Sequence, residues 1–168
     1  VLGKNLLPMN SLTLLLQREG FSDIRTYIQS GNAVFRCAAG TSGSLSDRIS
    51  HAVHRVHGFL PRVMVLTVKD LEKAVALNPF RGAVAKPQTL HLFFLNEEPQ
   101  LPDLASLNRL KAAKEDFALK GRIFYLHTPD GFGRSKLAAK AERLIQVDAT
   151  ARNWRTVTKL LEMAKQAQ

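Results

Sequence analysis

The residues with the clearest chemical character lie in the last quarter of the chain, in two short basic turns. The first turn, 131–136, contains two glycines and then Arg134, Ser135 and Lys136, and a segment with helical periodicity follows it. Free N–H groups point out of a helix N-terminus, where the helix dipole is equivalent to roughly half a positive charge. Basic side chains beside such a terminus are typical of a site for phosphate or another anion.

The same turn also has a purely structural interpretation. It lacks the glycine and lysine spacing of a phosphate-binding loop and that of a dinucleotide-binding fingerprint. Ser135 is among the residues preferred as a helix N-cap, so the turn also fits a simple helix start. Arg134, Ser135 and Lys136 are therefore anion-binding candidates, with a structural turn as the alternative.

The second basic turn, 150–156, contains Arg152, Arg155 and Trp154, which is the one tryptophan of the chain. The return strand of a β-α-β unit ends near the start of its helix. We therefore expect Arg152 and Arg155 to lie close to the first basic turn. The apolar periodicity after Trp154 favours a core anchor for this side chain over a platform for stacking bases.

Composition limits the class of protein. The 168 residues include 24 Lys and Arg against 14 Asp and Glu, a formal net charge of +10, and 131–168 alone holds eight basic and three acidic residues. Such a surface attracts nucleic acid, anionic lipid or phosphorylated metabolites, although solubility alone also explains it. The lone Cys37 excludes an intrachain disulfide, indicates a reducing, cytoplasmic setting, and is expected to be a buried apolar residue. No apolar run approaches the length of about 20 residues that a membrane span needs.

No motif for a metal, a cofactor or nucleophilic catalysis is present. His51, His54 and His57 recur at intervals of three on a predicted helix, without the spacing or the additional donors of a zinc site. The sequence therefore predicts no cofactor and no metal. The residues that could supply an acid or a base near the basic turns are few, namely Tyr27, His127, Asp130 and Asp148.

Hydrophobic periodicity and turn residues divide the chain into alternating helices and strands. The first part is predicted to contain a helix at 11–19, strands at 24–29 and 33–36, a helix at 44–56 and a strand at 62–66. The second part follows a connecting helix and is predicted to contain, in order, a strand, a helix, a hairpin, a helix, a short extended segment and a helix. Their ranges are 68–77 for the connecting helix, then 89–95, 104–113, 116–119 with 122–127, 136–145, 148–153 and 154–165.

These orders predict an α+β fold of two tandem ferredoxin-like (βαββαβ) halves, each an antiparallel sheet with helices on one face. The predicted organisation is a first half at 1–67, a connecting helix and loop at 68–88, and a second half with an extra C-terminal helix at 89–168. The first half lacks its first, central strand. We expect residues before Val1, or another chain, to supply it, because an empty central position leaves backbone groups unpaired.

The hairpin of the second half permits a comparison with the RNA-recognition motif. Lys120, Gly121 and Phe124 fit its third-strand signature, whereas Arg122 and His127 replace two aromatic residues that would stack on bases. The comparison predicts that bases do not bind on this sheet in the manner of that motif.

Five ordered blocks resemble the bacterial family known as domain of unknown function 1697. They are Gly3-Lys4-Asn5-x-Leu7-Pro8-Met9, Arg25-Thr26-Tyr27-Ile28-Gln29-Ser30-Gly31-Asn32-x-Val34-Phe35, Asn78-Pro79-Phe80, Gly133-Arg134-Ser135-Lys136-Leu137 and Arg152-Asn153-Trp154-Arg155-Thr156-Val157-x-Lys159-Leu160. Members of that family typically begin with a strand that this chain starts just after. The resemblance implies an α+β bacterial cytoplasmic protein and no established activity. It also marks the polar motif positions as site candidates, namely Gln29, Ser30, Asn32, Arg134, Lys136, Arg152, Asn153 and Arg155.

Two hypotheses of function follow from these residues. The first is a non-catalytic binding protein for an anionic ligand, either nucleic acid or a phosphorylated molecule, that uses the two basic turns. The second is an enzyme acting on a phosphorylated or carboxylated small molecule, in which the basic residues hold the anion while Gln29, Ser30 and Asn32 orient the substrate. The basic residues serve both hypotheses, and the sequence leaves the oligomeric state open.

Overall fold

The computed structural model describes residues 7–27, 31–38 and 45–167. The chain divides into two compact units. The first consists of residues 1–68 with 159–168, and the second of residues 69–158. Both units are mixed α+β structures, and the described residues of each include an antiparallel sheet.

The first unit begins with helix α1 (Met9–Arg18), hairpin strands β1 (Ser22–Tyr27) and β2 (Asn32–Arg36), and helix α2 (Leu45–His57). The strands pair antiparallel, as the sequence predicts. Gly20 follows α1 with φ +88°, a backbone conformation that favours glycine and ends the helix. Leucines of α1 pack with apolar residues of α2 in a buried cluster that consists of Leu12, Leu15, Leu16, Phe21, Leu45, Ile49, Ala52 and Val53.

The segment 62–66 was predicted as a strand, and this prediction is wrong. The described residues there form no strand, although Val63 and Val65 pack against the apolar cluster of the first unit. The alternating apolar residues of this segment can therefore pack on the core without forming a strand. A strand also needs a neighbour for its N–H and C=O groups, and no described residue pairs with this segment in a ladder.

The second unit has a βαββαβ order after one preceding helix. Helix α3 (Val68–Ala76) leads through short 3-10 turns at Arg81–Ala85 and Pro87–Thr89 into strand β3. The elements that follow have these bounds: β3 (Leu90–Leu95), α4 (Leu104–Leu110), β4 (Asp116–Lys120), β5 (Ile123–His127), a 3-10 turn (Phe132–Arg134), α5 (Lys136–Ile145), β6 (Ala149–Asn153) and α6 (Trp154–Gln166).

The four strands form an antiparallel sheet in the order β4-β5-β3-β6. Strands β5 and β6 flank β3 and run opposite to it, with Leu90 paired to His127 and His91 paired to Asn153. Both flanking strands therefore end where β3 begins. We call this edge the basic end of the sheet, for the side chains described below.

Helices α4 and α5 cover one face of this sheet. Their buried residues Leu107, Leu137, Ala141 and Ile145 pack with Phe93, Leu95, Phe124, Leu126 and Ala149 of the strands. Each of these strand residues alternates with residues that belong to the other face. These contacts form the main core of the second unit.

The opposite face is not open, in contrast to the prediction of helices on one face only. Tyr125 alternates with Phe124 and Leu126 and is fully buried, and its Oη donates a hydrogen bond of 2.7 Å to the carbonyl oxygen of Ala74 in α3. Helix α3 thus packs on this face, and Leu92 is fully buried there too. The reason is that apolar and aromatic side chains occupy both faces of the central strands, and both faces need cover.

The structure also tests two predictions about Cys37 and about membrane-spanning segments. Cys37 is a free, exposed thiol directly after β2, so the prediction of a buried residue is wrong. Among the helices that the structure describes, none is both long and apolar enough to cross a membrane.

Candidate anion-binding site

The start of α5 is built by a capped turn. Gly131, with φ +115°, opens the 3-10 turn Phe132–Arg134, and the Oγ of Ser135 then accepts a hydrogen bond of 3.0 Å from the N–H of Ala138. This confirms Ser135 as the N-cap of α5. The N–H groups of Lys136 and Leu137 have no acceptor among the described residues, as is usual in the first turn of a helix.

The start of α6 lies at the same end of the sheet and is capped in the same way. Asn153 is the last residue of β6, and its Oδ1 accepts a hydrogen bond of 2.9 Å from the N–H of Thr156. Because β5 and β6 both end at the basic end, the helices that follow them both begin there. Two positive helix termini are thus directed to one edge of the second unit.

Three cations at the basic end have no carboxylate partner in the described part of the chain. Arg134, Lys136 and Arg155 are exposed, and none of them forms an ion pair within the described part of the chain. By contrast, Lys111 pairs with Asp116 at 3.2 Å. No carboxylate of the described residues therefore neutralises the charge of Arg134, Lys136 or Arg155.

Arg152 differs from the other candidates. The alternation along β6 places Ala149, Ala151 and Asn153 on the face of α4 and α5, so the side chain of Arg152 belongs to the face of α3. It is partly buried, its Nη1 donates a hydrogen bond of 2.8 Å to the carbonyl oxygen of Ala151, and burial lowers its pKa. The two alanines that alternate with Arg152 were the available sequence signal for this orientation.

The second candidate patch is only partly within the described residues. Asn32 begins β2 and is buried, and its Nδ2 donates a hydrogen bond of 3.2 Å to the carbonyl oxygen of Tyr27, its partner across the hairpin. This contact stabilises the hairpin. Gln29 and Ser30 lie outside the described residues.

His91 is a residue at the basic end that sequence reasoning missed. It lies on β3 beside Asn153 of β6, and its ring stacks on Phe132 with centroids 3.8 Å apart and planes inclined by 22°. Its Nδ1 is buried without a hydrogen-bond partner among the described residues, and burial lowers the pKa of the imidazole to about 4. The ring is therefore uncharged at neutral pH and supports the turn that carries Arg134.

Two more exposed cations, Arg81 and Lys86, come from the segment that leads into β3. The ring of Phe80, next to Arg81, lies 5.8 Å from the ring of His127 at the end of β5. Neither cation has an ion pair within the described residues. The basic end thus receives cations from three connections, whereas the sequence alone pointed to the two basic turns near the C-terminus.

The other sequence candidates for chemistry stay apart from this arrangement. The Nδ1 of His51 is 2.7 Å from the carbonyl oxygen of Asp47 on its own helix, α2. Within 7–27, 31–38 and 45–167, no group of three His, Cys, Asp or Glu side chains is placed as metal ligands would be. Asp148 lies next to β6 at the end of the sheet opposite to the basic end.

Comparison with known proteins finds a family and a similar solved structure. A family model described as "Protein of unknown function (DUF1697)" matches residues 1–125. The solved structure of a conserved bacterial protein from Streptococcus pneumoniae, SP0830, is similar with a TM-score of 0.65 and 21% sequence identity, and the similarity covers 98% of this chain and 92% of that one. At this identity the likeness concerns the fold. A search of curated proteins gives no significant match.

Proposed function

Because the chain belongs to the DUF1697 family, whose function is unknown, we propose a function from the chain's own geometry. We propose that it is a non-catalytic binding protein for an anionic ligand, either a nucleic acid or a phosphorylated molecule. The observation that carries this proposal is the common origin of α5 and α6 at the basic end, beside exposed cations that have no carboxylate partner among the described residues.

The electrostatic reasoning starts from the free molecule. Like charges gathered at one edge repel one another, and two helix N-termini add partial positive charge there. A structural role alone gains nothing from this arrangement, because both helices are already capped by Ser135 and Asn153. A bound anion relieves the repulsion and accepts hydrogen bonds from the N–H groups of Lys136 and Leu137.

We assign Arg134, Lys136 and Arg155 to direct anion contact, with Ser135 and Asn153 as the caps that orient the two helix starts. Arg152, on the other face of the same end, adds to the positive field. This assignment makes affinity strongly dependent on salt, because each phosphate contact releases counterions.

The alternative is an enzyme acting on a phosphorylated or carboxylated small molecule. The observation that favours it is His91, which is uncharged at neutral pH and has an unpaired Nδ1 near the basic end. However, Phe132 stacks on this imidazole and covers one of its faces. This contact favours a non-catalytic binding protein over an enzyme that uses His91 as an acid or base. In this alternative Gln29, Ser30 and Asn32 remain a second candidate patch, in the first unit.

We also infer that the chain is built from two ferredoxin-like halves, at 1–67 and 89–168, joined by 68–88. The βαββαβ order and the strand order β4-β5-β3-β6 support this for the second half. The α-β-β-α order of α1, β1, β2 and α2 fits the interior of the same motif in the first half. We place the binding activity in the bacterial cytoplasm, where the exposed thiol of Cys37 stays reduced.

The test measures the salt dependence of binding to a labelled DNA oligonucleotide, in single-stranded and duplex form, and compares the double variant Arg134→Ala/Arg155→Ala with the wild-type protein. We expect weaker binding and a log K against log salt slope that is shallower by about 0.7–0.9 for each arginine removed. Binding of inorganic pyrophosphate, measured by calorimetry, should weaken as well.

The matched control is Arg143→Ala. Arg143 is an exposed arginine in the last turn of the same helix, about 10 Å along the helix axis from Lys136. It should leave the slope almost unchanged. The proposal fails if the double variant binds both probes like the wild-type protein, or if Arg143→Ala causes an equal loss.

A further inference from the structure

At the basic end, each of three arginines follows an aromatic residue by one or two positions in the sequence. The pairs are Phe80 with Arg81, Phe132 with Arg134, and Trp154 with Arg155. All three arginines are exposed, and all three aromatic side chains are partly exposed. A cation beside an accessible ring is the combination that proteins use to bind single-stranded nucleic acid, because phosphates pair with the cations and bases stack on the rings.

Two of the rings are held in place from within. Phe132 stacks on His91 at 3.8 Å, and Phe80 lies 5.8 Å from the ring of His127. Phe132 also packs against the core of the second unit, with its ring centroid 6.1 Å from that of Phe93, so a ligand would meet only the exposed part of this ring. Holding the rings before binding also reduces the entropy that binding would otherwise cost.

The spread of the pairs fits a ligand with several phosphates. They belong to the connection before β3, the connection after β5 and the start of α6 after β6. Because β3 lies between β5 and β6, the outer pairs are separated by two strand spacings, about 10 Å. One phosphate group reaches only its nearest cations, whereas a nucleic-acid strand presents a phosphate and a base at each step.

The faces of the sheet are closed to such a ligand. Sheet-based RNA recognition stacks bases on aromatic residues of the central strands. Here Tyr125 and Leu92, on central strands, are fully buried, and the hydroxyl of Tyr125 is bonded to Ala74. Bases can therefore stack at the basic end and not on the sheet.

We propose that the basic end binds single-stranded nucleic acid, with phosphates on Arg81, Arg134 and Arg155 and bases stacked on Phe80, Phe132 and Trp154. This inference rests on the proposed anion-binding function and specifies its ligand. Duplex nucleic acid keeps its bases stacked within the helix, so it offers the same phosphates without the aromatic contacts.

The first experiment uses Trp154 as an internal reporter, because it is the one tryptophan of the chain. An oligothymidylate of about ten nucleotides, within the usual size range of a single-stranded site, is titrated into the full chain. Base stacking should quench the tryptophan fluorescence. A duplex of the same length and heparin should bind more weakly and leave the fluorescence largely unchanged.

The second experiment separates stacking from charge with variants. Phe80→Leu and Trp154→Leu keep apolar side chains, and each should weaken binding of the labelled oligothymidylate by about fivefold or more without changing the salt slope. Arg81→Ala should instead reduce the slope by about 0.7, as expected for one phosphate contact on a single strand. Arg143→Ala is again the control, and thermal unfolding of each variant verifies the fold.

The outcomes distinguish the two proposals. Equal binding of duplex, heparin and oligothymidylate, without tryptophan quenching, overturns the single-strand proposal while the anion-binding function stands. A shallower slope of log K against log salt in Phe80→Leu or Trp154→Leu also contradicts the single-strand proposal. Such a result would mean that these aromatic residues act by positioning the arginines and not by stacking on bases. If Arg134→Ala/Arg155→Ala leaves every probe unaffected, both proposals fail.

Discussion

His91 is a polar residue in an otherwise apolar strand, and its surroundings determine its charge. The ring is enclosed by Phe132 and by the strand that carries Asn153, and its Nδ1 has no partner among the described residues. Burial penalises the charged form, which is why the pKa falls from 6.5 to about 4. Between these two pKa values, the imidazole of His91 is therefore protonated in the unfolded chain and uncharged in the folded protein.

This pKa shift predicts acid lability. Between about pH 6.5 and pH 4 the unfolded state binds one proton more at His91 than the folded state, so the free energy of unfolding decreases as pH falls through this window. The loss is about 2 kcal/mol at the acid end, after allowance for the partial exposure of the ring. Urea unfolding of the wild-type protein and of His91→Phe across this range measures it.

In His91→Phe the stacking partner of Phe132 remains aromatic, and the titrating group is removed. We expect the variant to lose less stability between neutral pH and pH 4 than the wild-type protein. Equal pH dependence in the two proteins would show that His91 is not protonated on unfolding in this range.

At the scale of elements, the basic end forms because two strands end there and each is followed by a helix. β5 leads to α5 through a 3-10 turn, and β6 leads to α6 without an intervening residue. The N-cap side chain of each helix accepts a backbone hydrogen bond from its first turn, Ser135 in α5 and Asn153 in α6. The caps stabilise the helices. Because the cap residues also lie at the two helix N-termini, their charge changes the electrostatic potential at the basic end.

Asn153 allows these two roles to be separated. Asn153→Ala removes the cap and should lower the free energy of unfolding by about 1 kcal/mol, whereas Asn153→Asp retains a capping oxygen and should stay within a few tenths of wild type. The aspartate, however, brings a negative charge to the basic end. We expect Asn153→Asp to weaken oligonucleotide binding several-fold at low salt without loss of stability.

Thermal unfolding and binding anisotropy of the two variants provide the measurement. If Asn153→Asp binds as tightly as the wild-type protein, then α6 does not contribute its N-terminus to the site.

At the scale of the whole molecule, the formal charge of +10 acts over longer distances than any single contact. A net positive field accelerates the encounter with a polyanion, and salt screens it over about 10 Å at 0.1 M ionic strength. This attraction comes from all exposed cations, including those far from the basic end. Contacts formed after the encounter depend on the site alone.

Association and dissociation rates should therefore respond differently to substitution. Arg134→Ala and the control Arg143→Ala each remove one charge, so both should reduce the association rate with an oligonucleotide slightly and to a similar extent. Only Arg134→Ala should increase the dissociation rate, by several-fold. Stopped-flow kinetics at about 50 and 200 mM salt tests this, because the association rate should fall with salt for every variant.

Equal dissociation rates for Arg134→Ala and the wild-type protein would assign the binding to net charge and not to the basic end.

The sequence by itself determined the local structure of the candidate site. The bounds of α5 agree with the predicted 136–145, and Ser135 is its N-cap, because helical periodicity and capping depend on residues a few positions apart. The antiparallel hairpin of β4 and β5 and the mixed α+β class follow from equally local patterns. For the same reason, Arg134 and Lys136 could be identified as exposed cations at a helix start.

Only the tertiary structure decided which distant segments meet. The strand order brings Arg81 and Lys86 to the end where α5 and α6 begin, although more than forty residues separate Lys86 from Arg134. The register of β6 turns Arg152 to the face of α3, and 62–66 forms no strand with the described residues. These features depend on hydrogen-bond pairing and burial between remote residues, which no short-range pattern encodes.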